Sequence, residues 1–136
     1  MPDKAKTIDV ESFLGKKFAW GGRGPDEYDC WGLCYEISRQ LGNPFPEHQS
    51  FKELELRTLA IAEGIREFRK IDKPQPWCVV VFKAYGKYVN HMGIVLEDCR
   101  HFIHIREASE VSIELLNHPI WQRMLDGFYI YENQAD

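Results

Sequence analysis

The sequence contains no long apolar run and no excess of positive charge. Of its 136 residues 28% are charged, and the formal net charge is −4. No stretch approaches the ~18 consecutive apolar residues that a membrane-spanning helix needs, and no basic stripe typical of nucleic-acid-binding proteins is present. Residues 1–6 lead into no apolar segment that would act as a secretory signal. We therefore expect a protein that is made in the cytoplasm, does not span a membrane and does not bind nucleic acid.

Closely spaced metal-ligand pairs and nucleotide motifs are also lacking. The chain has four cysteines but no Cys-x-x-Cys pair, which disfavours a zinc ribbon and a thioredoxin-like site. A zinc site could be assembled on paper from Cys30, Cys34, His101 and His104. It is disfavoured because a three-residue spacing on a strand sends the two histidines to opposite faces. No Gly-x-x-x-x-Gly-Lys-[Ser/Thr] sequence is present to cradle a phosphate. We therefore expect free thiols and no bound metal.

The order of the predicted elements indicates an α+β fold. Hydrophobic residues make up 44% of the chain, and its length fits a single domain over residues 1–136. Apolar periodicity predicts helices over 10–15, 30–41 and 51–68. Runs of β-branched and aromatic residues then predict strands over 78–82, 91–96, 101–105 and 127–131. Helices followed by strands favour N-terminal helices packed on a small antiparallel sheet.

Cys30 occupies the predicted start of the clearest helix. It follows Asp29, a residue type that caps helix N-termini well, and a loop that holds three glycines and a proline over 21–25. The N–H groups at a helix start favour negative charge, so a thiol there tends toward thiolate character. The same amides can stabilise a developing oxyanion. A small buried core residue is the alternative interpretation, but the position favours a nucleophile.

Two histidines fall on neighbouring predicted strands. A four-residue hairpin loop after Leu96 pairs that residue with His101 and, further along, pairs Gly93 with His104. His91 and His104 then share one face as diagonal neighbours, roughly 7–8 Å apart at the backbone. A loop of odd length would place them on opposite faces. A nucleophilic cysteine needs a base, and the base needs an orienting group. The histidine pair suits a base that is held by a second imidazole.

Two segments together resemble a known family. The segment from Phe18 to Leu33 reads Phe-Ala-Trp-Gly-Gly-Arg-Gly-Pro-Asp-Glu-Tyr-Asp-Cys-Trp-Gly-Leu and resembles the nucleophile motif of the NlpC-type papain-like cysteine peptidases. The stretch His-Met-Gly-Ile-Val-Leu that starts at His91, followed by Phe-Ile-His ending at His104, resembles the histidine-bearing hairpin of that family. The Asp-Cys-Trp-Gly-Leu variant is most similar to the branch found in phage tail proteins.

The resemblance implies a fold, an activity and a set of site residues. It implies a papain-like α+β fold and hydrolysis of amide bonds in peptidoglycan stem peptides, usually between D-γ-glutamate and a diamino acid. It implies Cys30 as the nucleophile, His91 as the general base and His104 as the orienting residue. Asp29 is implied to help hold a substrate amine, and no metal or organic cofactor is implied. The phage branch implies phage tail proteins as partners and a location in a virion tail or, after release, at the cell wall.

Two residues on the predicted substrate side depart from the family pattern. Phe18 stands where family members usually carry Tyr, so a hydroxyl near the catalytic centre is missing. Trp31 replaces the common Ser after the nucleophile and adds a large apolar ring, while Trp20 is expected in the cleft wall. These changes favour altered substrate recognition. They leave open a catalytically silent phage tail module of the same fold, and a thiol amidase or acyltransferase that acts on another substrate.

Overall fold

The computed structural model describes residues 8–48, 53–84 and 88–132. Within these ranges the α-helices are α1 (Cys30–Gln40), α2 (Leu54–Gly64) and α3 (Pro119–Met124), and 3-10 helices lie at Val10–Phe13 and Ile65–Glu67. The strands are β1 (Lys17–Phe18), β2 (Glu27–Tyr28), β3 (Arg69–Ile71), β4 (Val79–Ala84), β5 (Tyr88–Val95), β6 (His101–His104), β7 (Ser112–Leu115) and β8 (Leu125–Ile130).

Six of these strands form one antiparallel sheet, in the order β3-β8-β4-β5-β6-β7. The short strands β1 and β2 pair in parallel beside the start of α1. Helices α1 and α2 contact β5, and α3 contacts β4. The prediction of an α+β fold with helices on a small antiparallel sheet is therefore confirmed, whereas a single domain over residues 1–136 stays a prediction.

Apolar side chains cover both faces of the sheet because successive residues of β4 point in opposite directions. Val79 and Val81 belong to one core cluster with Leu33 of α1. Val80 belongs to a second cluster with Trp121 of α3. The near-continuous apolar run of β4 follows from this double coverage, since a strand with one solvent-facing side would alternate apolar and polar residues.

Helix α1 begins at the residue that the sequence predicts. The Asp29 side chain accepts a hydrogen bond from the Gly32 N–H at 2.7 Å, which caps the helix. Gly42 follows the end of the helix with a φ of 92°, a left-handed conformation that suits glycine.

The other two helix predictions are correct only in part. The short helix predicted over 10–15 is a 3-10 helix at Val10–Phe13. The helix predicted over 51–68 is α2, which ends at Gly64 and is continued by the second 3-10 helix. Residues 51–52 of that prediction lie outside the described residues. In the part of the chain that the structure describes, no helix has the length and apolar character needed to cross a lipid bilayer.

The β5–β6 hairpin has the predicted register. Ile94 pairs with Ile103, and the Leu96 N–H donates to the His101 carbonyl oxygen at 2.8 Å. The same register puts Gly93 opposite His104. A Cβ atom at Gly93 would lie 2.7 Å from the Ile103 carbonyl oxygen and 3.1 Å from the His104 Cβ. Glycine at position 93 therefore leaves room for the close approach of the β6 backbone and the Cβ atom of His104.

The sequence pattern missed the strands β1, β2, β3 and β7 and the helix α3. Strands β1 and β2 have two residues each, and β3 and β7 are sheet edges of three and four residues, so all four are too short for alternation to stand out. Helix α3 has six residues; it begins at Pro119 and is capped by His118, whose ring accepts a hydrogen bond from the Ile120 N–H. Both β7 and α3 contact His104: Ser112 of β7 pairs with it, and the Trp121 ring of α3 lies 4.9 Å from its ring.

Candidate active site

A groove of about 230 Å³ opens where the start of α1 meets the β5–β6 hairpin. It is lined by Phe18, Trp20, Cys30, Asn90, His91, Ile105, Arg106 and Glu107. Four of the residues singled out from the sequence are among them: Phe18, Trp20, Cys30 and His91. A larger cavity of about 300 Å³ lies at the other end of α1 and is lined by neither Cys30 nor a histidine. The groove that combines a thiol with an imidazole is therefore the candidate site.

Cys30 is the first residue of α1 and is partly exposed. The loop before it packs tightly on the helix start. The Asp29 N–H donates to the Gly22 carbonyl oxygen at 3.2 Å, and that oxygen also lies against the space where a Cβ of Gly32 would be. This close approach explains why glycines flank the cysteine on both sides. It holds the sulfur at a helix N-terminus, where the helix dipole favours negative charge.

His91 and His104 contact each other through their ring nitrogens. Nε2 of His91 lies 2.8 Å from Nδ1 of His104, and the two rings are inclined by 66°. His104 is only 1% exposed. Burial lowers its pKa to about 4, although the nearby Glu114 acts in the opposite direction. His104 is therefore neutral near pH 7, with one N–H donor and one bare nitrogen.

The contact between the histidines involves one ring nitrogen of His91. Nε2 of His91 is engaged with His104, and the His91 ring lines the same groove as Cys30. The ring itself stacks on Phe82, with centroids 5.8 Å apart. The structure thus places Cys30 and His91 in one groove and His104 against His91, an arrangement compatible with a nucleophile, a base and an orienting group.

Glu114 is a site residue that sequence reasoning missed. Its Oε2 lies 3.3 Å from Nε2 of His104, and its Oε1 accepts a hydrogen bond from Nε1 of Trp121 at 3.4 Å. The Trp121 ring stands edge-on to His104 with centroids 4.9 Å apart. No sequence signal pointed to Glu114, because it lies on the unpredicted strand β7. Only the pairing of Phe102 with Glu114 places it diagonally across from His104.

The structure corrects the expectation that Asp29 faces a substrate amine. The Asp29 side chain is fully buried, and protein donors occupy both of its oxygens. Oδ1 accepts from the Gly32 N–H at 2.7 Å and from Arg23 Nη1 at 2.9 Å, and Oδ2 accepts from the Gly21 N–H at 2.8 Å. An internal guanidinium therefore stands where an external amine was expected. Asp29 caps α1 and ties the glycine loop to it.

Arg23 is held in this position from several sides. Its Nε donates to Glu47 at 3.0 Å, and its Nη2 donates to the His48 carbonyl oxygen at 2.6 Å. Burial acts to lower the pKa of Arg23, but the carboxylates of Asp29 and Glu47 outweigh it and leave that pKa raised. The guanidinium therefore stays charged and connects the nucleophile loop to the segment after α1.

Trp31 is also not where the sequence analysis expected it. The residue is 2% exposed and belongs to the main core cluster. Its Nε1 donates to the Pro46 carbonyl oxygen at 2.9 Å, and its ring meets His48 and Phe68 edge-on. The physical reason is helical geometry: a residue directly after Cys30 is rotated by about 100° around the helix axis, toward the core. Trp31 stabilises the helix start and does not line the groove.

Phe18 and Trp20, by contrast, form one aromatic wall of the groove. Their rings stand edge-on with centroids 4.8 Å apart. Arg106 and Glu107 bring charges of both signs to the lining, and the Arg106 guanidinium lies 5.5 Å from the centroid of the Trp121 ring. The groove thus offers an apolar wall beside groups that can pair with a carboxylate or an amine.

Of the four residues that could have formed a zinc site on paper, Cys30 lines the groove, and the other three have contacts or burial of their own. His101 pairs with Asp98 at 2.6 Å, and His104 contacts His91. Cys34 is buried in the core, where burial raises its pKa well above the usual range. Within residues 8–48, 53–84 and 88–132, no group of three or more His, Cys, Asp or Glu side chains is arranged to hold a metal ion.

Comparison with known proteins gives a family match over most of the chain. Residues 15–129 match the model of the NlpC/P60 family. The chain is 28% identical over 116 residues to the probable endopeptidase YafL of Escherichia coli, which covers 83% of this chain and 43% of that protein. It is 23% identical over 120 residues to the probable endopeptidase p60 of Listeria monocytogenes, covering 88% of this chain and 22% of that protein. The chain thus spans less than half the length of these relatives.

Solved structures share the fold. An NlpC/P60 family protein of Bacillus cereus superposes with a TM-score of 0.65 at 24% identity, over 88% of this chain and 36% of that one. The NlpC/p60 domain of the peptidoglycan hydrolase SagA superposes with a TM-score of 0.59 at 17% identity, over 90% of this chain and 92% of that domain. The predicted papain-like fold is confirmed. The chain therefore belongs to the NlpC/P60 family and carries its cysteine peptidase domain.

Proposed function

We propose that this protein hydrolyses amide bonds in peptidoglycan stem peptides, at the bond between D-γ-glutamate and a diamino acid. The observation that carries the proposal is the groove in which Cys30, at a helix N-terminus, and His91, engaged by His104 at 2.8 Å, line the same space. The names of relatives and structural neighbours, endopeptidases and a peptidoglycan hydrolase, support peptidoglycan as the substrate.

The proposed reaction passes through an acyl-enzyme. His91 accepts the proton of the Cys30 thiol through Nδ1, and the sulfur attacks the carbonyl carbon of the stem-peptide bond. The backbone N–H of Cys30 contributes to stabilising the oxyanion that forms. The protonated His91 then gives its proton to the leaving amine, and the C–N bond breaks. Water, deprotonated by His91, attacks the thioester, releases the carboxylic acid and restores the thiol.

The buried Asp29 bears on which substrates fit. Since Arg23 occupies its carboxylate, recognition of a free amine by Asp29 is not part of this proposal. The charged side chains in the lining of the groove belong to Arg106 and Glu107 instead. We propose that these two residues contact the charged groups of the stem peptide, while Phe18 and Trp20 pack against its apolar atoms.

Digestion of purified peptidoglycan, with masses of the released fragments, tests the proposal. We expect wild-type protein to release fragments with a new D-glutamate terminus and Cys30→Ala to release none. Cys99→Ser is the matched control, because Cys99 is a free, partly exposed cysteine outside the groove. Equal release by wild type and Cys30→Ala would refute the catalytic assignment.

The same digestion separates the other two candidate functions. No release by a folded wild-type protein would favour a silent assembly module. A thiol reagent that modifies Cys30 can also be applied together with an acyl compound other than a stem peptide. If that compound protects Cys30 from the reagent, an amidase or acyltransferase that acts on that compound is favoured. Fragment masses that place the new terminus elsewhere would correct the bond but keep the enzyme class.

We also propose that the protein acts as a component of a phage or prophage tail. The Asp-Cys-Trp-Gly-Leu sequence around Cys30 supports this. In this proposal the chain is made in the cytoplasm, assembles with other tail proteins, and reaches the cell wall on the virion tail or after release. Detection of the chain by mass spectrometry in purified virions of the producing strain tests it, and its absence from intact particles would contradict it.

A further inference from the structure

A series of polar contacts runs from the groove through the buried His104 to Glu114, whose side chain is 33% exposed. It starts at His91, passes through His104 and ends at Glu114, which also contacts Trp121. Two of the links involve imidazole rings, and each neutral imidazole offers one donor and one acceptor. Which nitrogen of each ring carries the hydrogen therefore depends on whether the neighbouring polar group donates or accepts a hydrogen bond.

The contacts of Glu114 leave one consistent arrangement of hydrogens. A carboxylate has only acceptors, and an indole N–H has only a donor. Trp121 donates to Oε1 of Glu114, so Oε2 remains for His104. Nε2 of His104 must then carry the hydrogen. Since burial keeps His104 neutral, its Nδ1 is bare and accepts a hydrogen bond from Nε2–H of His91.

We propose that Glu114 is a positioning residue that sets the tautomer of both imidazoles, and so leaves Nδ1 of His91 as a bare acceptor for the thiol proton. The opposite arrangement, with a hydrogen on Nδ1 of His104, would make Nε2 of His91 the acceptor. Neutral His91 would then carry its hydrogen on Nδ1 and could not accept a proton from Cys30. Glu114 thus acts on the nucleophile through two rings, without touching the substrate.

Trp121 has a defined part in this arrangement because it orients any group at position 114. In Glu114→Gln the indole N–H needs the amide oxygen, which turns the amide NH₂ toward His104. Nε2 of His104 must then accept, so the hydrogen moves to Nδ1 and His91 takes the unproductive tautomer. In the double variant Glu114→Gln/Trp121→Phe the amide is free to rotate, and its oxygen can again face His104.

Nitrogen NMR of the protein labelled with ¹⁵N-histidine tests the tautomers directly and does not depend on turnover. We expect His104, assigned by comparison with His104→Asn, to carry its hydrogen on Nε2 in the wild type and on Nδ1 in Glu114→Gln. Glu110→Gln is the matched control, because Glu110 is an exposed glutamate that pairs with Lys17 and lies outside the chain of contacts. A wild-type His104 protonated on Nδ1, or no change in Glu114→Gln, would overturn the proposal.

Peptidoglycan digestion gives the second measurement, which rests on the proposed function. We expect Glu114→Gln to lose at least about tenfold in kcat, as when a wrong tautomer is imposed on a catalytic imidazole, and Glu114→Gln/Trp121→Phe to recover part of that loss. Melting curves identify variants that fail to fold. Full activity of Glu114→Gln with a changed tautomer would refute the link to the thiol. If the wild type cleaves nothing, the proposed function fails while the NMR result still decides the tautomer.

Discussion

The pair formed by Arg23 and Asp29 provides the most direct test of the structure around the nucleophile. Nη1 of Arg23 lies 2.9 Å from Oδ1 and 3.0 Å from Oδ2 of Asp29. The Asp29 side chain is 1% exposed and that of Arg23 is 26% exposed. We therefore expect the energetics of a buried ion pair, in which removal of one partner leaves a charge that the protein cannot solvate.

The size of the effect follows from burial and the remaining contacts. Two unit charges 4 Å apart attract by about 4 kcal/mol at an effective dielectric constant of 20. Breaking a buried pair by removing one partner costs roughly 3–5 kcal/mol. Asp29 would keep its hydrogen bonds from Gly21 and Gly32 in Arg23→Met. We therefore expect Arg23→Met to lower the free energy of unfolding by about 3 kcal/mol, the lower end of that range.

A double-mutant cycle in urea measures the pair itself. The variants are Arg23→Met, Asp29→Asn and their combination; asparagine keeps the capacity to cap α1. We expect a coupling energy of about 2 kcal/mol. The exposed pair of Arg69 and Glu132 is the matched control, with an expected coupling below about 1 kcal/mol. A coupling for Arg23 and Asp29 no larger than that of the control would refute the view that Arg23 satisfies Asp29.

Three further predictions concern the histidine pair and the helix start. The pKa of His104 is lowered to about 4 in the folded state, so the unfolded protein binds a proton at higher pH than the folded protein does. The free energy of unfolding, measured by urea titration, should therefore be highest above pH ~6.5 and fall by about 3 kcal/mol as the pH is lowered to 4. The fall should be smaller in His104→Asn. Gly93→Ala should cost about 1–3 kcal/mol and lower kcat, because its Cβ would meet the Ile103 carbonyl oxygen; normal melting and turnover would contradict this. Trp31→Phe should cost about 1 kcal/mol in thermal unfolding through loss of its bond to Pro46, with KM unchanged; a raised KM would show that Trp31 reaches the substrate.

The part of the site that could be predicted is local in sequence. Asp29 and Cys30 are adjacent, so a capping residue before apolar periodicity was enough to place the cysteine at a helix start. His91 and His104 belong to one hairpin, and the length of a single loop decides their common face. Phe18 and Trp20 lie in the same short segment as the nucleophile and reach the groove with it.

The part that failed depends on contacts between distant segments. Arg23 pairs with Asp29 only because the loop over 21–25 folds back on the start of α1. No pattern in the sequence predicts an ion pair between these two residues. The burial of Trp31 depends on Phe68 and Pro46, which come from segments after the helix. The family resemblance suggested a substrate contact for both Asp29 and Trp31, whereas both side chains are buried in the structure.

Periodicity and motif thus determined the class of the fold, the helix that carries the thiol and the strand register that aligns two imidazoles, because each of these depends on neighbours along the chain. Only the tertiary structure decided which carboxylate contacts the histidine pair. The carboxylate of Asp29 binds the guanidinium of Arg23, whereas Glu114, on an edge strand, contacts His104. The physical reason is that the protonation and accessibility of a polar group are set by the atoms that surround it, and those atoms come from segments far apart in the chain.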